Sequence, residues 1–123
     1  MNTFKEFVEQ SDVLLSEDHK HLLPSQGALV YKPPRNCHNQ AQRVRTGGKE
    51  TYVDARGMHW QFDFTHTPHW DVRSPNNKSK NSYVRVGVDG RIWEVYAPTT
   101  PEKTELLLEC GIATERAVKL HVE

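Results

Sequence analysis

Residues 59 to 73 read HWQFDFTHTPHWDVR, and these fifteen positions hold three histidines, two aspartates and an arginine. Imidazole beside carboxylate is a common means of moving protons near neutral pH, because the carboxylate raises the histidine pKa and fixes its tautomer. Asp63, His66, His69, Asp71 and Arg73 are therefore the candidate catalytic residues. Such a set suits metal-independent RNA cleavage. A base removes the 2′-hydroxyl proton, the oxygen attacks the adjacent phosphorus, and an acid protonates the leaving 5′-oxygen. A cation such as Arg73, Arg85 or Arg91 stabilises charge on the phosphorane. Arg85, Arg91, Tyr83, Lys78 and Lys80 are the candidate substrate contacts, and no cofactor is required. Two other readings of the same residues stand beside this one. His59, Asp63, His66, His69 and Asp71 offer donors that suit zinc, manganese or iron, although their spacing matches no established metal motif. They also suit the polar outer face of a hairpin that performs no chemistry.

These side chains need a sheet to position them. From Thr51 the apolar period is two, and TYVDA reads as a short strand that turns at ARG into HWQFDFT. There Trp60, Phe62 and Phe64 alternate with His59, Gln61 and Asp63, so one face is apolar and the other polar. HWDVR repeats the pattern, with Trp70 and Val72 inward and His69, Asp71 and Arg73 outward. A short HTP loop between the two strands pairs Thr65 with His69, Phe64 with Trp70, Phe62 with Val72, and Asp63 with Asp71. Facing carboxylates repel, and such a pair persists if one is protonated, if a cation bridges them, or if function requires it. YVRVGV-DG-RIWEVY reads as a second hairpin on a two-residue type I′ turn at Asp89-Gly90. Its register pairs Val86 with Trp93 and Val84 with Val95 on one face. Arg85 pairs with Glu94 on the other, beside Tyr83 and Tyr96.

Helical signals flank this meander. Thr3 and Glu6 fit a capping box ahead of Phe4, Phe7, Val8, Leu14 and Leu15, and Pro24 and Gly27 end the pattern. Thr99 or Thr100 caps a second helix with Pro101 in its first turn and Gly111 as its stop, and TERAVKLHV reads as a third. Residues 32–50 combine Pro-Pro, Gly-Gly and several cations, and read as a basic loop or extended arm. The expectation is one α+β domain. Its parts are an N-terminal helical region (1–31), the basic loop (32–50), an antiparallel meander of four to five strands (51–97) and a helical tail (98–123).

The 123 residues are enough for one core. No apolar run approaches the roughly 20 residues of a membrane span, and MNTFKEFVEQ lacks the basic and apolar regions of a secretory signal. Cys37 and Cys110 allow at most one disulfide, and Cys37 beside His38 reads as two unrelated residues. The chain is neutral overall, but residues 32–91 hold eleven Lys/Arg against five Asp/Glu. A basic middle between acidic ends attracts phosphate when the cations share one face.

The stretch GMHWQFDFTHTPHWDVRSPNNKSKNSYVRVGVDGRIW resembles the C-terminal toxin domains of bacterial polymorphic toxins. The resemblance rests on W-x-x-D (Trp60, Asp63), W-D-V (Trp70, Asp71, Val72), Y-x-x-V (Tyr83, Val86) and D-G-x-I (Asp89, Gly90, Ile92). It is also similar to the ribosome-targeting nuclease domains of RNA-cleaving colicins and their contact-dependent-inhibition relatives. Asp63 and His66 match the D-x-x-H of that catalytic line, whereas the family glutamate position holds Trp70. The resemblance implies a helix on a twisted antiparallel sheet and an RNase toxin delivered into the cytoplasm of a competing cell. It also implies a cognate immunity protein that blocks the basic face. A different class remains open: a non-catalytic module binding RNA or protein through the same basic, aromatic face.

Overall fold

The computed structural model describes residues 18–37, 41–46, 49–63, 67–75 and 82–122. The helix expected between Thr3 and Leu15, together with His66, Lys78 and Lys80, lies outside the described residues. Five antiparallel strands form the expected meander: Lys49–Val53 (β2), His59–Asp63 (β3), His69–Arg73 (β4), Tyr83–Gly87 (β5) and Ile92–Tyr96 (β6). A further strand, Gln42–Thr46 (β1), pairs with β2 at one edge and completes a sheet of order β1 to β6. This corrects the reading of residues 32–50 as a loop throughout. QRVRT and KETYV pair across Gly47-Gly48, and the cations that suggested an unpacked arm suit an edge strand equally well.

One face of the sheet carries the core. Tyr52, Trp60, Trp70, Val72, Val84 and Val86 are buried there, with Phe62, Ile92 and Val95 packed against them. Two layers complete that core. The first is a short 3₁₀ turn, Asp18–Leu22, with the segment after it, which together contribute Leu22, Leu23, Leu29 and Tyr31. The second is the C-terminal helix pair Thr100–Glu109 (α1) and Thr114–Val122 (α2), with Leu106, Leu107, Cys110, Ile112 and Ala117 inward. The α+β arrangement is the one the sequence indicates.

Helix α1 begins as its residues dictate. Thr99 is extended, its Oγ1 accepts from the Glu102 N–H, and its hydroxyl donates to the Glu102 carboxylate at 2.9 Å. Pro101 sits in the first turn, where no N–H is needed. The helix ends where the N–H groups of Gly111 and Ile112 return to the Leu108 and Leu107 carbonyls.

Trp60 and Trp70 are fully buried, and each has its indole N–H satisfied. Trp70 Nε1 donates to the Leu22 carbonyl at 2.9 Å, tying the N-terminal layer to the sheet. Trp60 Nε1 donates to Asp54 Oδ2 at 3.0 Å. The other Asp54 oxygen accepts from the N–H groups of Arg56 and Met58, both at 2.9 Å, so one buried carboxylate builds the β2–β3 turn and anchors a core indole.

The β3–β4 register differs from the expected one. Asp63 pairs with His69, Phe62 with Trp70, Gln61 with Asp71 and Trp60 with Val72. The shift is two residues, which preserves every side chain's face. Apolar alternation is blind to such a slip, because only an odd slip moves apolar groups into water. Asp63 and Asp71 are therefore not cross-strand partners.

The second hairpin is corrected at its tip. Gly87 N–H donates to the Arg91 carbonyl at 2.8 Å and Gly90 N–H to the Gly87 carbonyl at 2.9 Å, with Gly90 at φ +85°. That is a three-residue loop, Val88 to Gly90, in place of the two-residue turn. Gly90 is doubly constrained, since a Cβ there would stand 2.0 Å from the Gln26 carbonyl oxygen. The longer loop pairs Val86 with Ile92, and a bulge then restores the expected pairs Arg85–Glu94, Val84–Val95 and Tyr83–Tyr96.

Two stability measurements follow from this core. Asp54→Ala leaves two backbone N–H groups and the Trp60 indole without their acceptor, and is expected to lower the unfolding free energy by about 3 kcal/mol in urea titrations. A loss below about 1 kcal/mol would contradict the anchoring role. The Cys110 thiol is free and buried, and burial, aided by Asp54 and Glu109, pushes its pKa up to about 12 from 9.0. Its folded pKa is raised, so its contribution is complete below pH 9 and declines as pH rises towards 12. Urea midpoints are expected to fall less steeply across that window in Cys110→Ala than in the parent; equal slopes would refute this.

Candidate functional site

The face opposite the core is organised in rows by the register. Asp63, His69 and Gly87 are neighbours across β3, β4 and β5, and Gln61, Asp71, Arg85 and Glu94 form the next row across to β6. His59 pairs with Arg73 in a third. Asp71 lies two residues along β4 from His69 and therefore shares its face.

His69 is the centre of this arrangement and is only 2% exposed. Its Nδ1 lies 2.8 Å from the Thr67 carbonyl oxygen. A carbonyl can only accept, so Nδ1 carries the proton. Nε2 then faces two carboxylates, Asp63 Oδ2 at 3.5 Å and Asp71 Oδ1 at 3.4 Å. The three groups offer one ligand atom each, all within 4.8 Å of one another. The expected carboxylate pair is thus a His–Asp–Asp cluster with the imidazole between its members.

Arg85 continues the cluster towards β6. Its Nε stands 3.6 Å from Asp71 Oδ1 and its Nη1 3.9 Å from Glu94 Oε2. The guanidinium also lies 5.6 Å from the Tyr83 ring centre and 5.7 Å from that of Tyr96. Burial opposes its charge, but Asp71, the two tyrosines and Glu94 outweigh burial, and its pKa lies above the ordinary arginine value. Arg73 stacks on Tyr83 at 4.7 Å. The Glu94 carboxylate accepts from the Tyr96 hydroxyl, and this hydrogen bond, followed by burial, raises the phenol pKa.

Of the residues singled out in the sequence, Asp63, His69, Asp71, Arg73, Tyr83 and Arg85 meet on this face. Arg91 does not meet them: it is exposed at the β5–β6 tip, where its N–H donates to Asp89 Oδ1 at 3.0 Å. The face is also less basic than the segment's composition implies. Among the described side chains around His69, Asp63, Asp71 and Glu94 stand against Arg73 and Arg85.

Trp93 is the residue sequence reasoning misplaces. Strict alternation from a two-residue turn points it into the core, but the three-residue loop pairs Val86 with Ile92 and leaves Trp93 outward, 42% exposed. Its ring lies 5.4 Å from that of His69, a lid over the imidazole. Gly87 makes the room, since a Cβ there would stand 2.8 Å from Trp93 Nε1. The available signal is the glycine itself, which leaves a gap on the outer face next to His69.

No family model, curated protein or solved structure matches this chain.

The lid can be tested by fluorescence. Trp60 and Trp70 are fully buried, so quenching by acrylamide reports on Trp93. Gly87→Ala is expected to displace the indole from His69 and raise the quenching constant about twofold, at a stability cost of about 1–3 kcal/mol. Unchanged quenching in the folded variant would contradict the packing of Trp93 over Gly87.

Proposed function

We propose that the outer face of the sheet binds RNA and cleaves its phosphodiester bonds. The observation that carries this reading is the convergence of two partly exposed carboxylates and one imidazole beside a tyrosine-stacked guanidinium. In-line attack by a 2′-hydroxyl needs a proton acceptor at the nucleophile and positive charge at phosphorus. The Asp63–His69–Asp71 cluster supplies the first through its two carboxylates. Arg85 supplies the second, with Arg73 beside it. The 2′-hydroxyl loses its proton to the cluster, its oxygen bonds to phosphorus, and the bond to the 5′-oxygen breaks. The leaving oxygen takes a proton from water, giving a 2′,3′-cyclic phosphate and a 5′-hydroxyl end. The exposed Trp93 and Tyr96 rings are stacking surfaces for unpaired bases.

The sequence resemblance supports the same reading and extends it to a toxin acting in the cytoplasm of a competing cell, with an immunity protein covering this face. A non-catalytic RNA- or protein-binding module is the second reading. The depth of His69 beneath Trp93 favours it, since an imidazole so placed meets a substrate only after the lid moves.

Incubation of the purified chain with total RNA, followed by gel analysis, separates the two. Cleavage is expected, with Asp71→Asn and Arg85→Ala each slower by roughly 10²-fold or more. Cyclic phosphate ends identify the chemistry. RNA that is retained but intact at high protein concentration would establish the binding module instead.

A further inference from the structure

The surroundings of His69 contain an electrostatic mismatch. With its proton on Nδ1 for the Thr67 carbonyl, neutral His69 turns the Nε2 lone pair towards Asp63 Oδ2 and Asp71 Oδ1. Carboxylate oxygens also only accept. Three acceptor atoms therefore converge, and both Nε2 and Asp71 Oδ1 are buried without a hydrogen-bond partner. Arg85 Nε, likewise buried and without a hydrogen-bond partner, stands 3.6 Å from Asp71 Oδ1, too far to donate to it.

We infer that Asp63, His69 and Asp71 hold a divalent cation of the zinc class, bound through Asp63 Oδ2, His69 Nε2 and Asp71 Oδ1. The distances discriminate between the ways of resolving the mismatch. An imidazolium donating to a carboxylate draws it to about 2.7–2.9 Å. Donors bonded at about 2.0–2.2 Å to one tetrahedral ion sit roughly 3.3–3.6 Å apart. The observed separations, 3.4 and 3.5 Å, are of the second kind. One donor atom from each of the three residues lies within 4.8 Å of the others, a spacing that side-chain rotation can close around one ion. The Nδ1–H bond to Thr67 is the support that metal-binding histidines ordinarily have, since it fixes the tautomer and aims Nε2. Three protein donors leave a fourth position open to water or a phosphate oxygen.

Charge points the same way. With His69 neutral, the charged residues described around the cluster, Asp63, Asp71 and Glu94 against Arg73 and Arg85, carry one net negative charge. A divalent ion turns that to one net positive charge, the sign a phosphodiester requires. As the cofactor of RNA cleavage the site rests on the function proposed above; as a metal site it is measured without RNA.

The chain is stripped with EDTA, dialysed and titrated with zinc by calorimetry. One ion per chain is expected, with affinity at least tenfold weaker in each of Asp63→Asn and Asp71→Asn, both confirmed folded by circular dichroism. His59→Ala, which removes a nearby imidazole outside the cluster, is expected to bind as the parent does. Cobalt in place of zinc is expected to give the visible spectrum of a tetrahedral site. No binding, or equal binding by the parent and both Asn variants, overturns the inference. Zinc bound through the aspartates by a chain that leaves RNA intact refutes only the cleavage reading. RNA cut equally well after chelation, by a chain that binds no zinc, refutes only the metal.

Discussion

The burial of two indoles with both of their N–H groups satisfied is the constraint on which the rest depends. Trp60 reaches the Asp54 carboxylate and Trp70 the Leu22 carbonyl, from adjacent strands. A buried indole N–H without an acceptor costs about 1–3 kcal/mol, so the two bonds favour one placement of β3 and β4 over its neighbours two residues away. That placement puts Phe62 opposite Trp70 and, one residue on, Asp63 opposite His69. The cluster on the outer face is thus set by packing on the inner one.

The outer face has its own determinant in the β5–β6 loop and the bulge beside it. The three-residue loop pairs Val86 with Ile92 and so leaves Trp93 outward, where the indole covers the imidazole across Gly87. The bulge also leaves Arg85 opposite Glu94 and Tyr83 opposite Tyr96, so the guanidinium is held among carboxylates and rings. A glycine and one extra residue therefore decide whether the site is open or lidded.

Much of this was legible in the sequence. Period two identified a meander of four to five strands and sorted Trp60, Trp70 and Val72 from Asp63, His69 and Asp71, because face is set by parity alone. The capping signals at Thr99 and Gly111 located α1, since they report local hydrogen bonds. What parity does not encode was misread: the two-residue slip between β3 and β4, and the added loop residue that turned Trp93 outward. β1 was missed because QRVRT is short, charged and at an edge, where strands need few apolar residues. The His–Asp–Asp cluster was visible as a set of residues but not as a geometry, since its form depends on the Thr67 carbonyl and on register.

The most direct test is anomalous diffraction at the zinc edge from crystals of the zinc-loaded chain. One peak bonded to His69 Nε2 and to the Asp63 and Asp71 carboxylates, with Nδ1 still against the Thr67 carbonyl, is the predicted result. No peak at His69, with Asp63 and Asp71 drawn to about 2.8 Å from a protonated Nε2, would contradict it.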